Sequence, residues 1–152
     1  MFRRDEWQWT FCGFQSPQDG RPVQKWYALL PPTHKIEVAS MFAYLGNLTA
    51  TVWGRPFFDP LAGEGGISEI IVPDFRDDLG VAYYSIYGCD GPGKQVYTFL
   101  HATNKRARND KIGKAIAKRR LRQLHDGNAT IHKFDFEEHL VVEFTKGSGR
   151  EN

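Results

Sequence analysis

Apolar residues along this chain recur with two periods, and the switches between them mark out its elements. Over residues 5–14, Trp7, Trp9 and Phe11 alternate with Gln8, Thr10 and Cys12, which predicts a half-buried strand. Residues 15–20 are rich in turn formers. Pro22 suits the first turn of a helix, where its missing N–H does no harm, and Val23, Trp26, Tyr27 and Leu30 follow at helical spacing. A short helix is expected over 22–30, stopped by Pro31 and Pro32. Thr33 is a candidate cap for a second helix, whose stripe is Ile36, Ala39, Met41, Phe42, Leu45 and Leu48 and whose end falls near 46–49. Residues 55–66, with two prolines and three glycines, read as a loop. Three strand-like runs follow at 67–72, 81–87 and 95–101. Turns at 73–80 and at Asp90-Gly91-Pro92-Gly93 separate them, so an antiparallel meander is expected.

Asn109 or Asp110 is placed to cap a third helix over 111–125. Its apolar stripe is Ile112, Ile116, Leu121 and Leu124, broadened by Ala115 and Ala117, and Gly127 terminates it. Beyond that, 130–136 and 139–144 read as two more strands around a turn at 135–138, with a polar end at 146–152. The predicted fold is α+β: a mainly antiparallel sheet, an N-terminal helical hairpin on one side, and a basic helix after the meander. A length of 152 residues, 41% hydrophobic and 14% aromatic, suits a single domain over 1–152, with 128–152 as a C-terminal extension.

Charge changes the picture. From Lys94 to His125 there are ten Lys or Arg and one acid, Asp110, on a chain whose formal net charge is only +2. The remainder is therefore acidic. Such segregation is expected where a protein meets a polyanion, and RNA is the leading candidate. No apolar run approaches the roughly 20 residues of a membrane span. The first residues lack the apolar core of a secretion signal, so a cytoplasmic location is expected, with no membrane association. Cys12 and Cys89 follow no pairing motif and are expected as two buried thiols. The five His lack matched spacing with Cys, so no metal and no cofactor is expected.

Several short motifs, in collinear order over residues 5–123, resemble the RelE/HigB toxin superfamily, closest to its HigB-like, phage-derived branch. They are the aromatic opening Trp7 to Phe11, Pro22-Val23-x-x-Trp26, Gly66-Ile67-Ser68-Glu69-Ile70, the run 81–87, Leu100-His101-x-x-x-Lys105-Arg106, and Ala117-x-x-Arg120. The resemblance implies a RelE-like fold and a ribosome-dependent mRNA endonuclease that cleaves through the 2′-OH without a metal. It also implies a toxin partnered by a cognate antitoxin, often a helix-turn-helix protein, and acting on the ribosome and mRNA. The chain departs from the pattern at Gly80 and Ile71, where the family has Arg, and at Thr103, where it has an aromatic.

Cleavage through the 2′-OH needs that hydroxyl deprotonated, the leaving 5′-oxygen protonated, and the charge on the phosphorane stabilised. Lys105, Arg106 and Arg108, just past a strand end, are the expected catalytic cations, since an Arg fork binds two phosphate oxygens. Arg76 is a candidate replacement for the Arg missing at Gly80. His101 and His132 are weaker acid–base candidates. Alternation puts His101 on one strand face with Tyr97 and Phe99, where a packed core role is the plainer expectation. Lys111, Lys114, Lys118, Arg119, Arg120 and Arg122 are the expected RNA- or ribosome-binding cations of the helix. Two alternatives stand beside the toxin: a non-catalytic RNA- or ribosome-binding module on the same scaffold, and a phage-derived domain whose basic face docks an acidic protein.

Overall fold

The computed structural model describes residues 7–48, 53–54, 56–73 and 83–137. Six strands make one sheet: β1 (Thr10–Gln15), β2 (Phe58–Pro60), β3 (Ser68–Pro73), β4 (Tyr83–Asp90), β5 (Val96–Thr103) and β6 (Thr130–Lys133). Among the described residues the helices are α1 (Pro22–Ala28), α2 (Pro32–Gly46) and α3 (Lys111–His125). The sheet order is β2-β3-β4-β5-β1-β6. Neighbouring strands are antiparallel except β1 and β5, which run parallel. The class is α+β, and the meander β3-β4-β5 is formed as the turns predict.

The sheet is covered on both faces. Tyr27 of α1 and Val38 and Phe42 of α2 pack with Phe11, Ile70, Ile86 and Phe99 on one side. On the other, Ala117 and Leu121 of α3 pack with Phe14, Tyr87 and Leu100. Strand β1, inside the sheet between β5 and β6, is therefore buried on both faces, not one: Phe11 faces the first layer and Phe14 the second. Burying an aromatic of this size is worth about 1.5–3 kcal/mol, so β1 ties the two layers together.

Local chemistry explains most boundaries and several corrections. Helix α2 starts at Pro32 with Pro31 as its N-cap, and Thr33 lies inside the first turn with no capping bond. Proline at the first position already has the helical φ and no N–H to satisfy. The stretch read as a loop contains β2, whose Phe58 pairs with Ile70 at the sheet edge. Strand β6 pairs with β1, and Phe134 and Phe136 beyond it are fully buried, so the described part of the C-terminal segment adds a strand to the sheet and two aromatics to the core. The strand expected at 139–144, the start of the one expected at 81–87, and the turn at 74–80 lie outside the described residues. Cys12 and Cys89 are both buried and free. Burial pushes the Cys89 thiol up to about 12, so it stays protonated. No helix among the described residues is long and apolar enough to cross a membrane.

Helix α3 shows how tightly the second layer is set. Its N-cap Asp110 is buried, and Oδ1 accepts from the Gly113 N–H at 2.9 Å. Tyr87 Oη donates to Oδ2 of the same carboxylate at 2.8 Å. A Cβ at Gly113 would overlap Asp110 Oδ2 and stand 2.7 Å from its Cγ. Helix propensity alone predicts that Gly113→Ala gains about 1 kcal/mol. The close approach predicts the opposite: a loss of about 1–3 kcal/mol, because the cap must release the helix or Tyr87. Urea unfolding of Gly113→Ala decides the sign.

Candidate nucleic-acid interface

The connection from β5 to α3 carries the expected catalytic cations. Lys105 is exposed, and its backbone N–H donates to Thr103 Oγ1 at 3.3 Å. Arg106 precedes a 3-10 turn, Ala107–Asn109, on which Arg108 is exposed. A buried carboxylate holds this turn in place. Glu69 on β3 is 1% exposed, and its Oε2 accepts from Ser85 Oγ at 2.6 Å, the Ala107 N–H at 3.1 Å and Arg106 Nε at 3.2 Å. Arg106 is thus gripped through Nε. Its Nη1 and Nη2 have no hydrogen-bond partner among the described residues. Lys105 and Arg108 have no acidic partner there either. Arg76 and Gly80 lie outside the described residues, and Ile71 is buried at 6% exposure.

His101 faces the α3 side, which corrects the face assigned by simple alternation. Tyr87 stands opposite His101 and Gly88 opposite Phe99, so Leu100 is an extra residue, a bulge. The bulge shifts the alternation by one. Tyr97 and Phe99 stay in the α1/α2 layer, while Leu100 joins the α3 layer and the His101 ring stacks on Tyr87 at 6.0 Å. Burial lowers the His101 pKa, and Arg120 and Arg119 lower it further against Asp110. The Tyr87 hydroxyl is held protonated well above its usual range by burial and by its bond to Asp110. His132 sits on β6, opposite Gly13 of β1, with its Nδ1 2.9 Å from the Lys133 carbonyl oxygen. It stacks near Phe134 in the core and is not brought to the β5–α3 connection by any contact among the described residues.

The basic helix is less free than its charge suggests. Glu64, on the glycine-rich loop before β3, takes both Lys114 at 3.3 Å and Lys118 at 2.8 Å. These two bonds hold the Glu64 carboxyl below its usual range. Asp19 takes Arg120 at 3.3 Å and Arg119 at 3.9 Å. Arg120 is a correction to the expected RNA surface. It is 9% exposed, Nη1 donates to the Leu100 carbonyl at 2.7 Å, and the guanidinium lies 5.5 Å from the centre of the Phe14 ring. It satisfies the bulge from inside. Ile112, expected in the apolar stripe, is 73% exposed, and Gly113 and Ala117 face the sheet in its place. The helix rotates so that small residues, not bulky ones, meet the buried Asp110 and Tyr87.

Of the cations on this turn and the first turn of α3, those left without an acidic partner among the described residues are Lys105, Arg108, Lys111 and the Nη atoms of Arg106. Arg122, further along the helix, is exposed and has no acidic partner among the described residues. The residues that sequence reasoning missed are the acids. Glu69 has a visible signal, a lone carboxylate within the apolar run Ile67-Ser68-Glu69-Ile70-Ile71-Val72, since an unpaired charge is almost never fully buried. Asp19 and Glu64 carry none. Comparison with family models, with curated proteins and with solved structures finds no match to this chain.

The half-buried His101 and the buried His132 give a pH test of this packing. Burial lowers both His101 and His132, the latter against the Lys133 carbonyl bond. In the unfolded chain a His titrates near about 6.5. Above that pH both states hold neutral His. As pH falls below it, the unfolded chain binds protons that the fold resists, so stability is lost toward the lower folded values. The urea midpoint should fall between about pH 7.5 and about pH 5.5, and His101→Gln should remove part of that fall. Equal midpoints at the two pH values would contradict the burial of these rings.

Proposed function

We propose that this protein is a toxin-type, ribosome-dependent mRNA endonuclease with a RelE-like arrangement, working through Lys105, Arg106 and Arg108. The observation that carries the reading is the β5–α3 turn. One Arg is fixed by its Nε, its two terminal nitrogens unengaged among the described residues, between two exposed cations that have no acidic partner among those residues. A planar fork held in one direction is what bidentate contact with a phosphate requires. The motifs that resemble the RelE/HigB superfamily supply the link to mRNA in the ribosome.

In this reading the RNA 2′-oxygen loses its proton and attacks the adjacent phosphorus. The 5′-oxygen leaves and takes a proton. The products are a 2′,3′-cyclic phosphate and a 5′-hydroxyl end. Arg106 and Arg108 bind the non-bridging oxygens and stabilise the added charge on the phosphorane. Lys105 positions the phosphate. Lys111 and Arg122, with the exposed part of Arg119, contact flanking RNA phosphates. A cognate antitoxin with an acidic segment would cover the same surface.

A second reading is a non-catalytic RNA- or ribosome-binding module. The buried Ile71 favours it, because the family places a cation there. The two separate on brief induction in cells with mapping of mRNA 5′ ends. The endonuclease reading expects new 5′-hydroxyl ends in translated messages and growth arrest. Arg106→Ala with Arg108→Ala should reduce cleavage by about 100- to 1,000-fold while the protein stays folded. Intact messages beside ribosome-associated wild-type protein would select the binding module.

A further inference from the structure

Position 69 is an expensive place for a carboxylate. Ile67 and Ile71, its neighbours on the same strand face, are buried and apolar, and Glu69 itself is 1% exposed. Removing a carboxylate from water costs several kcal/mol, and an apolar side chain in such a place is commonly as stable or more so. Stability alone therefore does not call for Glu here. What Glu69 supplies is direction. Its Oε2 sits at the meeting point of Ser85 Oγ, the Ala107 N–H and Arg106 Nε. The Ser85 contact is the shortest, at 2.6 Å, and fixes the carboxylate from the β4 side. The Ala107 contact fixes the backbone one residue past Arg106. The Arg106 contact uses the one guanidinium nitrogen that lies on the stem, and leaves the fork formed by Nη1 and Nη2 without a partner among the described residues.

We infer that Glu69 is a positioning residue that aims the Arg106 fork at the RNA phosphate. This rests on the reading of Arg106 as a phosphate-binding group. The grip specifies Arg over Lys. A guanidinium can be held at Nε and still present two donors outward. A lysine has one ammonium, and the Glu69 carboxylate would capture it. The Lys variant should then be as poor as the Ala variant, although its charge is unchanged. Neutralising Glu69 should release that captured ammonium.

The test uses the full-length protein, translating ribosomes and a defined mRNA. The rates compared are those of wild type, Glu69→Gln, Arg106→Ala, Arg106→Lys and the two double variants that add Glu69→Gln to each Arg106 change. Gln keeps the shape and an acceptor oxygen, and thermal unfolding of each variant checks the fold. Glu69→Gln should lower kcat by about 10- to 100-fold with little change in KM. The Glu69→Gln/Arg106→Ala variant should be no slower than Arg106→Ala alone, because Glu69 acts through Arg106. Arg106→Lys should be as slow as Arg106→Ala, and adding Glu69→Gln should speed it. A purely structural carboxylate would instead slow every background by the same factor, and that result overturns the inference. If Glu69→Gln does not fold, Arg106→Lys decides: near wild-type kcat overturns the inference, and a rate as low as that of Arg106→Ala supports it. If wild type cuts nothing, the endonuclease reading fails, and the same cycle is scored on affinity for a single-stranded RNA oligonucleotide at low salt. Coupling between the two positions there supports the role of Glu69, and additivity overturns it.

Discussion

A carboxylate removed from water must be met by donors, and two such groups fix the α3 side of this protein. Glu69 gathers Ser85, Arg106 and the Ala107 N–H; Asp110 gathers Tyr87 and the Gly113 N–H. Between them they tie β3 and β4 to both ends of the short connection that leaves β5. Each unmade bond would leave a buried polar group at a cost of about 1–3 kcal/mol. The connection is thereby a fixed platform rather than a loop, and its exposed cations inherit that fixed geometry.

The same principle governs the basic helix. Internal acids take Lys114, Lys118, Arg119 and Arg120, and the bulge at Leu100 takes a second bond from Arg120. These bonds hold α3 against the glycine-rich loop and the loop after β1. They also concentrate the uncompensated charge at the end of the helix nearest the β5–α3 turn, with Arg122 and part of Arg119 left exposed further along. The ion pairs on exposed side chains are individually weak, about 0–1 kcal/mol, so their main effect is to set where positive charge is left uncompensated.

Much of the fold is legible in sequence because it is local. The helices at Pro22 and Lys111, the Asp90–Gly93 turn and the terminator Gly127 follow from proline, glycine and the apolar period. What is not legible depends on partners far along the chain. The parallel pairing of β1 with β5 joins Thr10 to Val96. A single bulge moves His101 to the other face, and nothing near Leu100 announces it. Arg120 reads as one more surface cation because the Asp19 that holds it is 101 residues away. Glu69 and Arg106 are 37 apart, and only the lone acid in an apolar strand hints at the pair.

On the proposed reading, the cations that meet RNA are those left without an acidic partner among the described residues. The most direct measurement is the salt dependence of affinity for a single-stranded RNA, compared across two double variants. Each phosphate contact to a single strand contributes about 0.7 to the slope of log K against log salt. Lys105→Ala with Arg108→Ala should reduce the slope by about 1.4, whereas Lys114→Ala with Lys118→Ala should change it by less than about 0.7. An equal or larger reduction from the Lys114 and Lys118 pair would mean that RNA binds along the whole helix, and would contradict the account.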